Sequence, residues 1–318
     1  MSTGRVVIGG AGGFMGQHFA DRYRAVAREV VTIGRTGSDV TWTDATGIRS
    51  AIDGASLVLG LAGKSVNCRY TTANRAEIFG SRLRTTAALR DAIAAADAPP
   101  PVWINSSTAT IYRHAEDRPM TEATGELGEG FSVSVAKAWE HELFAGELPG
   151  TRRVALRTAI VLGSTGGVLP TLERLARLGI GGTQLDGWWP TTARRRAAGT
   201  VHQRGSGGGS QRMSWVHVDD VARAIDYIER ETALARPVNV SAPHPVDNRT
   251  FMAAVRQRVG AWFAPPMPRA LLEIGAIGIR TETELVLKSR WVLPERLLES
   301  GFTFAHPHLD RALDDLMR

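Results

Sequence analysis

The chain has a single cysteine among its 318 residues, Cys68, so an internal disulfide is excluded and nothing implies an oxidising compartment. Long apolar runs are missing as well, since none reaches the ~18–20 residues that a membrane-spanning helix requires. The opening residues, MSTGRVVIGGAGG, lack the basic, apolar and small-residue regions of a signal peptide. The cysteine and the histidines show no metal-ligand spacing. We therefore expect a cytoplasmic protein without a metal site and without membrane contact.

Lysine is also scarce, and the net charge of +6 rests mainly on arginines that are scattered among acids. The densest basic stretch, Arg194–Arg196, lies in a Gly/Arg/Ser-rich segment from Gly179 to Arg212. We interpret this stretch as a solvated loop, and contact with an anion or a nucleic acid is the alternative. Because no RNA-binding aromatic signature accompanies it, we expect no nucleic-acid partner.

The first half of the chain alternates short β-branched runs with helical patterns, which predicts a parallel sheet covered by helices. The strands are so apolar that both of their faces are expected to be buried. The predicted strands are Arg5–Gly9, Glu29–Gly34, Val40–Trp42, Ser56–Leu61, Val102–Ser106 and Arg153–Val161. The predicted helices between them are Phe14–Ala27, Thr46–Ile52, Asn74–Ala96 and Phe131–Glu147.

After Gly163 the pattern becomes mainly helical. One helix is expected to open at Asp219 or Asp220, because an acid in the first turn complements the helix dipole. Strands are predicted on either side of it, at Met213–Val216 and Val238–Ser241. The other predicted helices are Leu169–Leu178, Asn248–Val259, Pro268–Ile279, Glu282–Leu287, Pro294–Glu299 and Leu309–Met317.

These patterns together predict an α/β fold. We expect a Rossmann-type, doubly wound parallel sheet with a smaller, mainly helical C-terminal lobe. Residues 1–163, joined by residues 213–241, form the predicted dinucleotide-binding domain. Residues 164–212 and 242–318 form the predicted substrate lobe, which closes a cleft beside the carboxyl edge of the sheet.

A glycine-rich turn with the pattern G-x-x-G-x-x-G stands between the first predicted strand and the first predicted helix. Gly10 permits the tight turn, Gly13 lets the backbone approach a pyrophosphate, and Gly16 lets the helix pack against the sheet. The helix N-terminus then offers free N–H groups to phosphates. We predict a dinucleotide site here, to which Phe14 and Met15 also belong; a tight turn without a ligand is the alternative.

The end of the second strand decides between the two dinucleotides. An acid at this point would hold the ribose hydroxyls of NAD(H), whereas an arginine favours the 2′-phosphate of NADP(H). The strand ends in Gly34-Arg35-Thr36, and the first acid beyond it is Asp39. A guanidinium grips a phosphate with paired, charge-assisted hydrogen bonds. We therefore predict NADP(H) rather than NAD(H), with Gly34 and Arg35 in the site; an ordinary surface arginine is the alternative.

Several motifs resemble a known family. The glycine turn, the run Asn105–Tyr112 and the run Trp215–Val221 resemble the extended short-chain dehydrogenase/reductases. Over almost the whole chain, the sequence is similar to the subfamily labelled SulA-like nucleoside-diphosphate-sugar epimerases. The motifs that carry this resemblance are Leu61-Ala-Gly63, Glu77…Ser81-Arg82…Thr86, Pro237–Pro243 with Asn248, and Pro294…Gly301-Phe-Thr-Phe304…Ala312-Leu313.

The resemblance implies further cofactor contacts. In that subfamily NADP(H) is contacted after the second strand, at the Leu-Ala-Gly turn and from the Glu…Ser-Arg helix. The residues that the resemblance adds to the site are Leu61, Ala62, Glu77 and Arg82. Gly60 is a departure from the pattern, because relatives commonly carry asparagine before Leu-Ala-Gly, and this puts one contact of the turn in doubt.

Ordinary members of this superfamily carry a Tyr-x-x-x-Lys pair on the helix that is predicted fourth here. The lysine lowers the tyrosine pKa, so that the phenolate works as a base near neutral pH. This helix has no tyrosine. Alignment on Lys137 places Val133 at the tyrosine position, whereas alignment on Glu140 places Ser132 and Ala136 at the pair. The usual hydride-transfer or epimerisation mechanism therefore does not transfer to this chain.

Three residues are catalytic candidates. Thr108 falls at the hydroxyl position after the fifth strand, Lys137 is the basic residue of the helix, and Tyr112 is a substitute acid. Each has a structural alternative: a strand-end turn for Thr108, the helix surface for Lys137 and packing for Tyr112.

His217 precedes two aspartates at the start of a predicted helix. We interpret it as a structural residue that ties its strand to the cap of this helix. The alternative is that it acts as a base beside Asp219 or Asp220.

The preferred hypothesis is an atypical NADP(H)-dependent oxidoreductase or epimerase-like enzyme that acts on an unknown small substrate. The alternative is a non-catalytic NADP(H)-binding sensor or regulatory protein, in which the missing tyrosine means lost turnover. The expected partners are a small-molecule substrate and, as the candidate assembly, a second copy of the chain in a homodimer. Trp188 and Trp189 are candidates for the wall of the substrate pocket.

Overall fold

A parallel β-sheet is the framework of the protein in the computed structural model, which describes residues 4–200 and 207–318. The strands in chain order are β1 Val6–Gly9, β2 Val30–Gly34, β3 Val40–Thr41, β4 Leu57–Gly60, β5 Val102–Thr108, β6 Arg152–Thr158, β7 Ile160–Leu162, β8 Arg212–Met213, β9 Trp215–His217, β10 Arg236–Val240 and β11 Val246–Asp247. Seven of them form the main sheet in the order β10-β6-β5-β4-β1-β2-β3, and its neighbouring strands are parallel.

Helices connect the strands and make up most of the C-terminal part. They are α1 Phe14–Ala25, α2 Ala45–Ile52, α3 Thr72–Ala94, α4 Phe131–Phe144, α5 Leu169–Arg177, α6 Ala193–Ala197, α7 Val218–Arg230, α8 Asn248–Arg258, α9 Arg269–Gly278, α10 Glu284–Leu287, α11 Glu295–Glu299 and α12 Leu309–Leu316. A short 3₁₀ helix, Ala109–Ile111, follows β5. In the described part of the chain, no helix has both the length and the hydropathy that crossing a bilayer demands.

The strand order reverses beside β1, which pairs with β2 on one side and β4 on the other. At such a point the connections leave in opposite directions and open a crevice at the carboxyl ends of the strands. The β1 and β4 residues are fully buried, as expected for a sheet that is covered on both faces. The Rossmann-type sheet and the helical C-terminal region are therefore confirmed.

Separate apolar clusters cover the two faces of the sheet. On one face, Phe19 of α1 and Ile225 of α7 pack in the same cluster as Ile8 of β1. On the other face, Ile48 of α2 and Leu89 of α3 pack with further strand residues. Both clusters remove apolar surface from water, which is the main favourable term in folding.

A third cluster forms the core of the C-terminal part. It joins Leu172 of α5, Phe251 of α8 and Leu313 of α12 around Trp215 of β9. Two small sheets, β7 with β9 and β8 with β11, lie in the same region. The residue limits that we predicted for the two domains stay a prediction.

The prediction of one strand over residues 153–161 is wrong, because the chain changes sheets at Ala159. The Ala159 amide donates to the carbonyl of Val240 in β10, at 3.0 Å, and the Ile160 amide donates to the carbonyl of Ser214, at 3.2 Å. The residues that follow pair with β9 instead of the main sheet. An apolar run predicts that both faces of a strand are buried, but it does not predict with which neighbouring strand the residues pair.

Among the helix boundaries that differ from the prediction, two have a clear local cause. Helix α4 ends at Phe144 rather than at residue 147, because Ala145 is extended and Gly146 has a φ of 63°. Helix α7 begins at Val218, and the ring of His217 caps it by accepting the amide N–H of Asp219 at 3.1 Å. His217 thus has the structural role that the sequence favoured.

The basic stretch is not a solvated loop. It lies in the short helix α6, and Arg195 turns inward to the carboxylates of Glu273, at 3.3 Å, and Glu282, at 3.5 Å. Both acids are almost fully buried, so Arg195 neutralises charge that would otherwise be costly to bury. Arg194 and Arg196 are exposed. Residues 201–206 of the predicted segment lie outside the described residues.

A buried ion pair joins α4 to the sheet. Arg157 of β6 donates from Nε and Nη2 to the two carboxylate oxygens of Glu140, at 2.8 and 2.7 Å. The Ser107 hydroxyl donates to the same carboxylate at 2.5 Å. Arg157 also donates to the Tyr112 hydroxyl, which donates to Asn239 Oδ1, both at 2.9 Å. Burial disfavours the charged guanidinium, but the hydrogen bonds and charge of Glu140 outweigh it and raise the pKa of Arg157.

Removal of one member of the Arg157–Glu140 pair should lower the free energy of unfolding. Glu140→Ala leaves Arg157 charged and unpaired inside the protein, and we expect the free energy of unfolding to fall by about 3–5 kcal/mol. Urea denaturation followed by circular dichroism measures the loss. Glu142→Ala is the control: Glu142 lies on α4 like Glu140, but its ion pair with Arg90 of α3 is partly exposed. This substitution should lower the free energy of unfolding by about 1 kcal/mol or less. Equal losses for the two variants would contradict the assignment.

Candidate functional site

The glycine turn after β1 is packed against the turn after β4. Gly10 has a φ of +90°, and a Cβ atom there would lie 2.7 Å from the Ala62 amide nitrogen. At Gly16, a Cβ atom would lie 2.5 Å from the Gly10 carbonyl oxygen. The Leu61 amide donates to the Gly9 carbonyl at 2.8 Å, which holds the two turns side by side. Side chains at Gly10 and Gly16 are therefore incompatible with this fold, with or without a ligand.

Gly13 differs from these two glycines. It caps the N-terminus of α1, and a Cβ atom there would have the Gly10 carbonyl oxygen as its nearest neighbour, at an ordinary 3.5 Å. A Cβ atom at Gly12 would meet nothing within 4 Å. The first turn of α1 has neither a capping side chain nor an acid. Open space in front of free N–H groups at a helix N-terminus fits a pyrophosphate, so the residues present suit a dinucleotide.

The carboxyl end of β2 presents an exposed cation. Arg35 is exposed and makes no hydrogen bond or ion pair within residues 4–200 and 207–318. Asp39, the first acid beyond the strand, turns back toward Thr32 and accepts from its hydroxyl at 2.7 Å and its amide at 2.8 Å. These hydrogen bonds from Thr32 lower the Asp39 pKa. The first acid beyond the strand is thus held by hydrogen bonds from Thr32.

Arg82 ties the turn after β4 to α3. Its Nη1 atom donates to the carbonyls of Lys64, at 3.0 Å, and Ile78, at 2.9 Å, and burial lowers the Arg82 pKa to about 10. Glu77, by contrast, is exposed and pairs with Arg84 at 3.0 Å. The structure therefore brings Arg82 to the turn of Leu61 and Ala62 and leaves the Glu77 carboxylate in a surface ion pair.

Hydroxyl groups line the carboxyl ends of the central strands. Thr108 ends β5 opposite Thr158 of β6, and its Oγ1 atom accepts the amide N–H of Thr110 at 3.1 Å. Arg290 donates from Nε to Thr110 Oγ1 at 3.0 Å, and Lys288 donates to the Thr110 carbonyl at 2.7 Å. Burial lowers the Lys288 pKa to about 8. Thr108 therefore keeps a strand-end role and has a hydroxyl at the crevice.

The structure separates the other two catalytic candidates from this row of threonines. Tyr112 is 1% exposed, its hydroxyl lies between Arg157 and Asn239, and burial raises its pKa. Lys137 is exposed and donates from Nζ to the Gly128 carbonyl at 3.0 Å. These positions match the packing and surface alternatives that the sequence offered for them.

Three residues spaced four positions apart lie on one face of α4. Glu140 points to the sheet, and Ala136, one turn earlier, is fully buried. Ser132 lies one further turn toward the N-terminus and donates to Glu284 Oε2 at 3.1 Å. Positions four residues apart share a helix face. Ser132, Ala136 and Glu140 therefore lie along one face of α4, and none of them is a tyrosine or a lysine.

Sequence reasoning missed a tyrosine beside this helix. Tyr70 precedes α3, and its ring stands edge-on to Phe131 of α4 with 5.0 Å between the ring centroids. Its hydroxyl is buried, and desolvation raises its pKa to about 12. The Tyr70 amide donates to Glu282 Oε1 at 2.9 Å. The contact with Glu282 joins residues 212 positions apart, and no local sequence pattern predicts it.

A cavity of about 660 Å³ begins where the cofactor turn and the threonines meet. Phe14 lines it from the start of α1, and Thr108, Thr110 and Thr158 line it from the sheet. Its volume is in the range of small-molecule sites, which is roughly 300–1,000 Å³. Trp188 is 74% exposed and does not contribute to the wall of this cavity.

Four potential metal ligands meet elsewhere, and their ligand atoms lie within 4.8 Å of one another: His217, Asp219, His306 and Asp315. The rings of His217 and His306 stack with 3.9 Å between centroids. Because His217 Nδ1 accepts a backbone N–H, the proton of the neutral ring is on Nε2, which faces Asp315 at 3.3 Å. A metal would require that nitrogen without its proton, so this group is better described as a link between α7 and the C-terminal helix.

Comparisons with known proteins agree with this geometry. Residues 6–241 match the model of the NAD dependent epimerase/dehydratase family, and residues 267–316 match a domain of unknown function, DUF1731. The epimerase family protein YfhF of Bacillus subtilis is 27% identical over 98% of this chain and 97% of its own length. The human epimerase family protein SDR39U1 is 26% identical over 98% and 99%. A crystal structure of human SDR39U1 with NADPH has a TM-score of 0.83 at 24% identity, covering 98% and 99%.

A substitution at Gly13 tests the cofactor site without disturbing the fold, because a Cβ atom fits there. Gly13→Ala should weaken NADPH binding at least about tenfold, because its methyl group enters the space in front of the helix N-terminus. The free energy of unfolding should change by no more than about 1 kcal/mol. Titration of NADPH fluorescence and thermal unfolding measure the two effects. Gly278→Ala, at an open position of α9, is the control; NADPH affinity equal to that of the control would contradict the site.

Proposed function

The chain belongs to the NAD dependent epimerase/dehydratase family, and we propose that it is an atypical NADP(H)-dependent oxidoreductase or epimerase-like enzyme. The observation that carries the proposal is the open cradle at Gly13, which adjoins a cavity lined by Phe14 and Thr108. A ligand bound at the helix N-terminus would place its far end toward that cavity. This continuity is what an enzyme with a dinucleotide and a small substrate requires.

Three features support NADP(H) over NAD(H). Arg35 is exposed and unpaired within the described residues, and Asp39 is bound to Thr32. A 2′-phosphate next to Arg35 would therefore meet a cation, while the Asp39 carboxylate is bound to Thr32. The human relative SDR39U1, which shares the fold, was crystallised with NADPH.

NADP(H), when bound, supplies or accepts a hydride at its nicotinamide ring. The protein's part is to hold the substrate oxygen. The Thr108 hydroxyl accepts a backbone N–H, which leaves its own proton for a carbonyl oxygen in the cavity. In a reduction, the C=O double bond becomes a C–H and an O–H bond, and water supplies the proton. Thr108 orients and polarises the carbonyl but is too weak an acid to replace a tuned tyrosine.

The second candidate function is a non-catalytic NADP(H)-binding sensor or regulatory protein. The inward face of α4 favours it, because Ser132 and Ala136 provide neither a phenol nor an ammonium group. Cofactor binding does not need that pair, whereas the superfamily's usual proton transfer does. Turnover separates the two functions.

Cofactor preference can be tested at the end of β2. Arg35→Ala should weaken NADPH binding by roughly 1–3 kcal/mol, since it removes a charged hydrogen-bond partner, and should leave NADH binding nearly unchanged. Calorimetric titration of both cofactors measures the difference. Arg49→Ala, at an exposed arginine that pairs with Asp97, controls for the loss of surface charge. Equal losses for NADPH and NADH would overturn the preference.

Turnover can be tested with the same protein. NADPH should be oxidised by at least one compound of a carbonyl panel, and Thr108→Ala should lower that rate by about tenfold or more because the carbonyl loses its donor. Absorbance of NADPH measures the rate. Thr43→Ala, at an exposed position in the β3–α2 connection, is the control. NADPH binding without turnover across the panel would favour the sensor.

A further inference from the structure

The cavity beside Thr108 has an apolar wall. It is built by the C-terminal lobe, from α5, α8 and α9 and the segments between them. The apolar side chains that matter most are Leu172, Leu175, Ile180, Met252, Met267 and Leu272. Burying apolar ligand surface against such a wall is favourable by about 25 cal/mol per Å². The wall therefore favours ligands that have a hydrocarbon part over ligands that are polar throughout.

The charged groups at the cavity are already engaged. Arg290 is the single basic side chain among the described residues that line it, and its guanidinium donates to Thr110 Oγ1 and to the carbonyls of Leu285, Lys288 and Glu284. The one acid among those residues is Glu282, and it pairs with two arginines. A nucleoside diphosphate carries two phosphates that need cations. Among the described residues that line this cavity, no cation is left free to bind them.

The mouth of the cavity is apolar too. Ile180, Leu271 and Ile279 line the cavity and are 45%, 48% and 52% exposed, so they stand where it opens to solvent. A polar substrate makes no favourable contact with such a rim, whereas an apolar compound buries these exposed side chains when it enters. Thr108 and Thr158, at the ends of β5 and β6, line the same cavity with hydroxyl groups.

We propose that this cavity binds an apolar compound with a single carbonyl or hydroxyl group, and not a nucleoside-diphosphate sugar. The polar group lies at Thr108, and the hydrocarbon lies along α5 and α9. This substrate class rests on the proposed function, because it places the reacting group beside the dinucleotide site. Binding of the apolar compound is nevertheless measurable without cofactor and without turnover.

A neutral fluorescent probe, N-phenyl-1-naphthylamine, tests the cavity in the full chain. We expect the probe to bind, 2-decanone and 2-decanol to displace it, and UDP-glucose to leave it in place. Displacement by UDP-glucose at concentrations at which 2-decanone has no effect would overturn the proposal. So would a complete lack of probe binding.

Matched variants on α9 locate the bound probe. Leu272→Gln puts an amide into the wall, and we expect at least about tenfold weaker binding of probe and 2-decanone. Ile274→Gln changes a 60% exposed residue on the same helix that does not line the cavity, and it should bind like the unchanged protein. Leu271→Gln at the mouth gives the same test with little loss of packing, should Leu272→Gln unfold. Equal affinities for the wall and control variants would place the probe on the surface and overturn the proposal.

NADPH binding, measured in the same samples, separates the two proposals. If NADPH binds and the apolar compounds do not, the substrate class is wrong and the cofactor assignment stands. If the apolar compounds bind and NADPH does not, the cavity assignment stands and the proposed function fails. Binding of both supports both.

Discussion

The buried pair of Arg157 and Glu140 fixes the carboxyl end of the sheet, because neither charge is tolerable there without the other. One member belongs to β6 and the other to α4, and Ser107 at the end of β5 shares the same carboxylate. The pair thus sets where β5 ends, how α4 lies across it and where Tyr112 is held. Thr108, at the end of β5, and Thr110 beyond it are positioned by this arrangement.

The pair also explains why α4 keeps its place without the superfamily's tyrosine and lysine. A helix that carries Glu140 inward also buries Ala136 one turn earlier, and Ser132 on the same face contacts Glu284 of α10. Lys137 is then directed to the surface, where it bonds the Gly128 carbonyl. The pair with Arg157 accounts for how α4 packs on the sheet, so the presence of this helix is no sign of the usual chemistry, and function has to be inferred from the cradle and the cavity.

The sequence was informative where the determinants are local. The spacing of Gly10, Gly13 and Gly16 predicts the turn, and the apolar runs predict the buried strands, because both follow from backbone geometry over a few residues. Arg195 was misjudged as a solvated residue because its partner, Glu273, lies 78 positions away. Periodicity shows that a residue is buried, but not which distant element covers it. The shape of the cavity depends on such distant contacts and was not predictable.

The two halves of the site differ in kind. The side proposed for the cofactor consists of backbone N–H groups at the start of α1 and the exposed guanidinium of Arg35. It belongs to residues 6–241, which match the epimerase/dehydratase model. The opposite wall is largely hydrocarbon, and Met267 and Leu272 in it belong to residues 267–316, which match a domain of unknown function. Shared cofactor geometry therefore carries no information about the substrate. Under the proposed function, the apolar wall would distinguish substrates, because it forms much of the cavity surface and lies apart from the cofactor turn.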